Sequence, residues 1–221
     1  MLYVVATPIG NLEDISLRAI KNLKDCDFII AENPRYSKRL LEHIKAWPKE
    51  TVRFAEFNEK RVVKDLTRRL AKENGGLITD AGTPGISDPG FRLVRECIQN
   101  DVSVIPMPGA NAATVALSAS GLPSDKFLFL GFLQKTAVKT TKALQTAADA
   151  EATAIFYESP ERILKTMGYV SNAFPSSQVV IARELTKMHE EFLRGTPEEV
   201  IKKLREKTSI KGEFTVLISF K

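Results

Sequence analysis

The sequence predicts an α/β fold of two domains, with a mostly parallel sheet in the N-terminal half and a mixed sheet in the C-terminal half. Three observations support this. Short apolar runs alternate with helical patterns through the first half, as in a parallel sheet joined by crossover helices. In the second half, strand-like runs at 178–183 and 189–194 stand a few residues apart, a spacing that suits a hairpin and antiparallel pairing. Gly121-Leu122-Pro123 punctuates the chain between the halves. The boundary is expected at 121–125, giving domains of 1–121 and 122–221. A length of 221 residues allows two domains of near-equal size or one large one, and 43% hydrophobic residues are enough for a packed core.

Each element has a local reason. Residues 2–6 read as a strand, followed by a turn-rich loop at 7–14 and a helix from about Ile15 to Asp25. Residues 28–31 form a second strand, with a helix near 37–46, and 52–55 a short third. Val62, Leu66 and Leu70 recur at helical spacing with Val63 beside them, and Arg61, Lys64, Asp65, Arg68 and Arg69 form the wet face. A fourth strand at 76–79 runs into Asp80. A helix at 91–99, a strand at 102–105 and a helix near 112–120 complete this half.

The second half opens with a strand at 127–132 and a polar helix at 136–150. A strand at 153–157 follows, then a helix opened by Pro160 at its first position, where proline is tolerated. After the hairpin, Thr196-Pro197-Glu198-Glu199 reads as a capping box with proline at the first helical position. Lys202, Lys203 and Arg205 suit the negative end of that helix. The final strand, 214–220, alternates, with Phe214, Val216, Ile218 and Phe220 on one side.

Composition excludes several classes. The net charge of +5 tolerates an anionic partner without requiring one. Cys26 and Cys97 read as small buried hydrophobes, and with only two histidines, His43 and His189, no metal-ligand spacing exists. The N-terminus lacks the basic segment of a signal peptide, and no run of about 18 apolar residues predicts a membrane span. A cytoplasmic protein is expected.

Three Gly/Pro-rich loops fall at strand ends: TPIGNLED at 7–14, DAGTPGISDPG at 80–90 and PMPGANAA at 106–113. Ligands of parallel sheets bind outside the carboxyl ends of the strands. None of the loops holds G-x-G-x-x-G or a Walker A pattern, so dinucleotide and P-loop chemistry are poorly supported. In the middle loop, Gly82, Gly85 and Gly90 permit close approach while Pro84 and Pro89 stiffen the chain. Asp80 and Asp88 add acceptors.

These loops, with GFL at 131–133, FYES at 156–159 and ARELTK at 182–187, occur in an order that resembles the small-subunit (16S) ribosomal RNA 2′-O-methyltransferase I family of the tetrapyrrole methylase superfamily. The resemblance covers nearly the whole chain. It implies two α/β domains with a cofactor cleft between them, S-adenosylmethionine as cofactor, and methylation of a cytidine ribose in the decoding region of 16S ribosomal RNA by a homodimer. Carried over by motif, the cofactor site comprises Pro8, Asp80, Gly82, Thr83, Pro84, Gly85, Ser87, Asp88, Ala112 and Ala113. From the second domain it adds Phe132, Leu133, Ala182, Arg183, Gly212 and Glu213. Activating a ribose hydroxyl needs a base or a nearby cation, and the candidates are Glu32, Arg35, Glu158, Arg183, Glu184 and Lys187. An internal ion pair is the competing role for Arg183 and Glu184. Phosphate contacts fall to Arg35, Lys38, Arg39, Lys135, Lys139 and Lys142.

The chain departs from the family at the loops expected to meet RNA. Glu32-Asn33-Pro34-Arg35 stands where the family has Glu-Asp-Thr-Arg, Phe57 replaces a histidine before Asn58-Glu59, and Gln134-Lys135 follows GFL in place of Pro-x-Lys. Two other readings remain at this point: a methylase of another acceptor, such as a tetrapyrrole, and a non-catalytic RNA-binding module.

Overall fold

The computed structural model describes residues 1–221, which form two compact units, Met1–Asn111 and Ala112–Lys221. In the first, β1 (Leu2–Val5), α1 (Leu17–Asp25), β2 (Phe28–Ala31), α2 (Pro34–His43), β3 (Thr51–Arg53), α3 (Glu59–Leu70), β4 (Gly75–Ile78), α4 (Phe91–Gln99) and β5 (Val104–Met107) alternate along the chain. The strands pair in the order β3-β2-β4-β1-β5, all parallel.

The sheet is covered on both faces, and β2 shows why an unbroken apolar run was needed. Phe28 and Ile30 pack with Leu66 and Leu70 of α3 and Leu93 and Cys97 of α4. Ile29 and Ala31 pack with Ala19 and Leu23 of α1 and Leu40 and Leu41 of α2. Each large side chain so buried contributes on the order of 2 kcal/mol. In β4 two glycines let the helices close in. A Cβ on Gly75 would lie 2.6 Å from Leu70 Cδ2, and one on Gly76 3.0 Å from Leu23 Cδ2.

The strand order has one reversal. From β1 the chain moves through α1 to β2 and then β3. From β4 it moves through α4, on the opposite face, to β5 beyond β1. Adjacent β1 and β4 therefore send their following segments to opposite faces. That switch point is where a doubly wound sheet opens a crevice.

Two element ends differ from expectation. α2 starts at Pro34, its first helical position, ahead of the expected 37. Ser37 lies inside it and donates its hydroxyl to Asn33 O (3.1 Å). β5 runs to Met107, in register with Val5, later than the expected 102–105. Pro106 is tolerated because β5 is an edge strand.

The second unit contains α5 (Ala112–Ser120), β6 (Phe127–Phe132), α6 (Ala137–Asp149), β7 (Thr153–Glu158), α7 (Ile163–Ala173), β8 (Gln178–Arg183), β9 (Glu191–Gly195), α8 (Pro197–Arg205) and β10 (Phe214–Ser219). The sheet order is β6-β7-β10-β8-β9, with β6 and β7 parallel and the other pairs antiparallel. α5 packs against β10 and β8 without joining the core formed with α6, α7 and α8, which puts it on the sheet's other face. The expected boundary at 121 and the contact division at Asn111/Ala112 therefore bracket α5.

β8 and β9 form the hairpin, from Val179 opposite Gly195 to Arg183 opposite Glu191. In β10, Phe214, Val216 and Ile218 join the helix-covered core and Phe220 packs beside them. The alternate residues are buried too, because β10 is the central strand. Thr196 and Glu199 form the capping box, with Pro197 first in α8. Pro160 does not open a helix. Residues 159–162 form a turn in which Ser159 O accepts from Arg162 N and Ile163 N, and α7 begins at Ile163. Both cysteines are free and buried. No helix is long and apolar enough to cross a membrane.

Candidate active site

The three Gly/Pro-rich loops meet at the switch point, inside the first unit. Thr7, beyond β1, donates its amide to Gly82 O (2.8 Å), and Gly82 N donates back to Thr7 O (3.1 Å). The Thr7 hydroxyl also donates to Thr79 O (3.1 Å). Thr83 ties in the third loop, its hydroxyl donating to Ala110 O (3.1 Å). Pro8 and Pro84 are buried against this knot, while Gly85 is half-buried.

The glycines are required by conformation. Gly82 has φ +84° and Gly85 φ +83°, values that side chains strain to adopt. Gly90 has φ +150°, and a Cβ there would lie 2.9 Å from Gly85 N. The loop closes on itself through Gly85 N donating to Pro89 O (3.2 Å). Exposed Ser87 is held at φ +62°.

Negative charge gathers here. Asp80 Oδ1 is buried and has no hydrogen-bond partner. Burial, then Glu32, pushes the Asp80 carboxyl up, against the pull of the Asn33 amide and Arg53. Asp88 is pushed up to about 7, first by burial and then by Glu32 and Asp80. Beside them lies a cavity of about 390 Å³ lined by Glu32, Glu56, Glu59, Ser87, Asp88, Pro89, Gly90, Phe91 and Arg92. Glu59 is tied to Arg92 at 3.3 Å and accepts from the Arg92 amide. Glu32 forms no salt bridge.

Glu56, Phe91 and Arg92 were not singled out by sequence, and Phe57 and Glu59 stood out only as part of a motif that departs from the family. Nothing in a linear pattern reports that the turn after β3 and the start of α4 share one cavity. Asn58 shapes that turn. Its Oδ1 accepts from Ala55 N (2.8 Å) and its Nδ2 donates to Arg53 O (3.0 Å).

In the second unit the expected residues form two interlocked ion-pair groups. Arg183 pairs with Glu191 at 2.8 Å and donates to Lys211 O (2.6 Å). Lys187 bridges Glu184 and Glu213, each at 2.9 Å. Glu184 Oε1 also accepts from Glu213 N (2.9 Å). The Glu184 carboxyl is set against burial by Lys187 and the Glu213 amide, which hold it below its ordinary value. Lys187 is likewise raised against burial by its two carboxylates. Lys187 therefore stays a cation and cannot serve as a resting base. Gly212, at φ +100°, is needed because a Cβ would lie 2.6 Å from Glu184 Oε1.

Glu158 departs from its expected role. Its side chain is wholly buried, accepts from Thr166 Oγ1 (2.6 Å) and Ser159 N (2.9 Å), and pairs with Arg162 at 3.3 Å. It anchors the 159–162 turn and cannot reach an acceptor hydroxyl. Leu133 and Ala182 are buried side chains too, and Leu133 belongs to the core. Exposed Phe132 meets Tyr157 edge-to-face at 5.6 Å, after a register shift in β6. At the start of α5, Ala112 is half-buried and Ala113 buried.

Among the expected phosphate contacts, Arg35, Arg39, Lys135, Lys139 and Lys142 are exposed and form no salt bridge. Lys38 pairs with Glu42 at 3.5 Å and lies over the Trp47 ring at 5.4 Å.

Fold and loop geometry define the class, that of the tetrapyrrole (corrin/porphyrin) methylases, whose family model matches residues 1–201. Solved structures agree on the fold. A diphthine synthase superposes with a TM-score of 0.77 at 12% identity, covering 99% of this chain and 89% of its own. A cobalt precorrin-4 methyltransferase superposes at 0.69 with 18% identity, covering 99% and 94%. Nearer in sequence is the ribosomal RNA small subunit methyltransferase I of Halalkalibacterium halodurans, 47% identical over 98% of this chain and 75% of the relative. The protein of that name from Thermotoga maritima is 39% identical over 100% and 98%. The chain belongs to the ribosomal RNA small subunit methyltransferase I family of the tetrapyrrole methylases.

It is an S-adenosylmethionine-dependent methyltransferase. The loops of the first unit fit that cofactor. The unpartnered Asp80 Oδ1, in a field that also includes Glu32 and Asp88, suits a ligand carrying an amine and a sulfonium. The side-chain-free surfaces at Gly82 and Gly85 admit a ligand close to the backbone.

Proposed function

We propose that the protein methylates the ribose 2′-hydroxyl of a cytidine in the decoding region of small-subunit ribosomal RNA, acting as a cytoplasmic homodimer. The names of its relatives and the order of its motifs support the RNA substrate. The observation that carries the reading is the knot of Thr7, Gly82, Thr83 and Ala110 at the switch point, with the acidic cavity beside it.

The bound cofactor supplies an electrophilic methyl group. The protein's residues do the rest by positioning and proton transfer. Pro8, Asp80, Gly82, Thr83, Pro84, Gly85, Ser87 and Asp88 would hold the donor, Asp80 and Asp88 supplying the negative field that suits its positive charge. Glu32 is the base that would accept the proton of the acceptor 2′-hydroxyl, while S-adenosylmethionine would supply the methyl group. Glu32 is half-buried, lines the cavity and is not neutralised by a salt bridge. Arg35, on the first turn of α2, lies three residues beyond it and binds the adjoining phosphate. Arg183, Glu184 and Lys187, with Gly212 and Glu213, form a rigid charged turn, and Lys187 contributes a fixed cation.

The test uses labelled S-adenosylmethionine with small ribosomal subunits lacking the modification. Label should appear on a ribose 2′-oxygen. No transfer, with cofactor binding verified by calorimetry, overturns the substrate.

A further inference from the structure

Phe57 is 72% exposed, a costly placement for a large apolar ring, and the Arg53 guanidinium lies 4.9 Å from its centroid. Arg53 ends β3 and forms no salt bridge, so its guanidinium is held by no single carboxylate. Glu56, immediately before Phe57, lines the 390 Å³ cavity. The same cavity is lined by a second exposed ring, Phe91, 63% exposed, with Arg95 at 5.3 Å from its centroid. One arginine-backed ring, Phe91, thus lines this polar cavity, and the other, Phe57, directly follows its lining residue Glu56 in the chain. Aromatic rings with guanidinium partners are the surfaces on which unstacked bases lie, at about 1–3 kcal/mol per base. A carboxylate at the cavity edge accepts from an exocyclic amine and repels a carbonyl at that position.

We infer that Phe57 with Arg53 is the stacking platform for the acceptor nucleobase and that Glu56 selects a pyrimidine bearing an exocyclic amine. This rests on the RNA methyltransferase reading above, and it places base selection on a turn separate from the cofactor loops. The base lies on Phe57, its amine donates to Glu56, and its ribose points toward Glu32 in the same cavity.

The test measures binding of the full-length protein to a short single-stranded RNA, with cytidine or uridine at one position, by fluorescence anisotropy. The parent should prefer cytidine by about tenfold. Phe57→Ala should weaken cytidine binding by about tenfold, and Phe57→Trp should restore it. Glu56→Gln should erase the cytidine preference. Affinity for S-adenosylmethionine should stay within twofold throughout, which separates base loss from a damaged cofactor site. Absence of a cytidine preference in the parent, or Phe57→Ala binding like the parent, overturns the inference. Cytidine-selective binding without methyl transfer supports this platform while sinking the catalytic reading.

Discussion

Thr7 and Gly82 exchange two backbone hydrogen bonds, at 2.8 and 3.1 Å, across residues that follow different strands. This small ladder locks the loop after β1 to the loop after β4 where the sheet order reverses. The two loops thus share one rigid frame, and a change at one should be felt at the other.

Gly82→Ala should destabilise the first unit by about 1–2 kcal/mol, the cost of a side chain at a left-handed φ. The nearest atom to its Cβ is 3.5 Å away, so conformation rather than collision sets that cost. Gly90→Ala should lose more, since its Cβ would strike the Gly85 backbone at 2.9 Å. Thermal denaturation of the two variants, compared with the parent, checks this order.

Asp88 titrates at about 7 in the folded protein, above an unfolded value of 3.8. The folded state therefore holds the proton more tightly. Its stability should fall as pH rises from about 4 to about 7 and level off above, through this group. Glu32 and Asp80 are the charges that face it. Asp88→Asn should flatten that decline and be more stable than the parent at pH 8. Affinity for the cationic cofactor should rise over the same interval in the parent and less in the variant. Denaturant melts and calorimetry at pH 5 and pH 8 decide it.

Glu158→Ala should cost about 3 kcal/mol, because it strips a buried ion pair of one partner and leaves the Thr166 hydroxyl and the Ser159 amide without their acceptor, although Arg162 keeps its bond to Leu133 O. Glu158→Gln should lower the melting temperature while leaving the pH profile of methyl transfer unmoved. A shifted profile would return Glu158 to the chemistry.

Glu32→Gln should lower kcat at least a hundredfold with the melting temperature within a few degrees of the parent, the range of a lost general base. Full activity in this variant would move the proton acceptor elsewhere, with Asp88 next in the cavity.

Arg35→Ala and Arg39→Ala should each reduce the salt dependence of RNA binding by about 0.7 in the log–log slope, one phosphate contact apiece on single-stranded RNA. Lys38→Ala should change it less, since Glu42 already shares its charge. Binding isotherms from low to physiological salt give the slopes.

By itself the sequence determined the layer architecture, because apolar period and strand length are local. The β2 run Phe28-Ile29-Ile30-Ala31 already states that both faces are covered, and Thr196-Pro197-Glu198-Glu199 states where α8 starts. The constrained conformation of the 80–90 loop was legible too, since only such a backbone asks for Gly82, Gly85, Pro84 and Pro89 together. Tertiary structure decided which charges are free. Glu32 and Glu158 look alike in sequence, each a carboxylate at the end of an apolar strand. One lines an open cavity, and the other is sealed under Thr166, Ser159 and Arg162. The same holds for the Arg183 and Lys187 ion pairs and for Phe57, whose exposure beside Glu56 depends on a turn folded by Asn58. Burial, charge pairing and proximity between distant segments are properties of packing, and no local pattern encodes them.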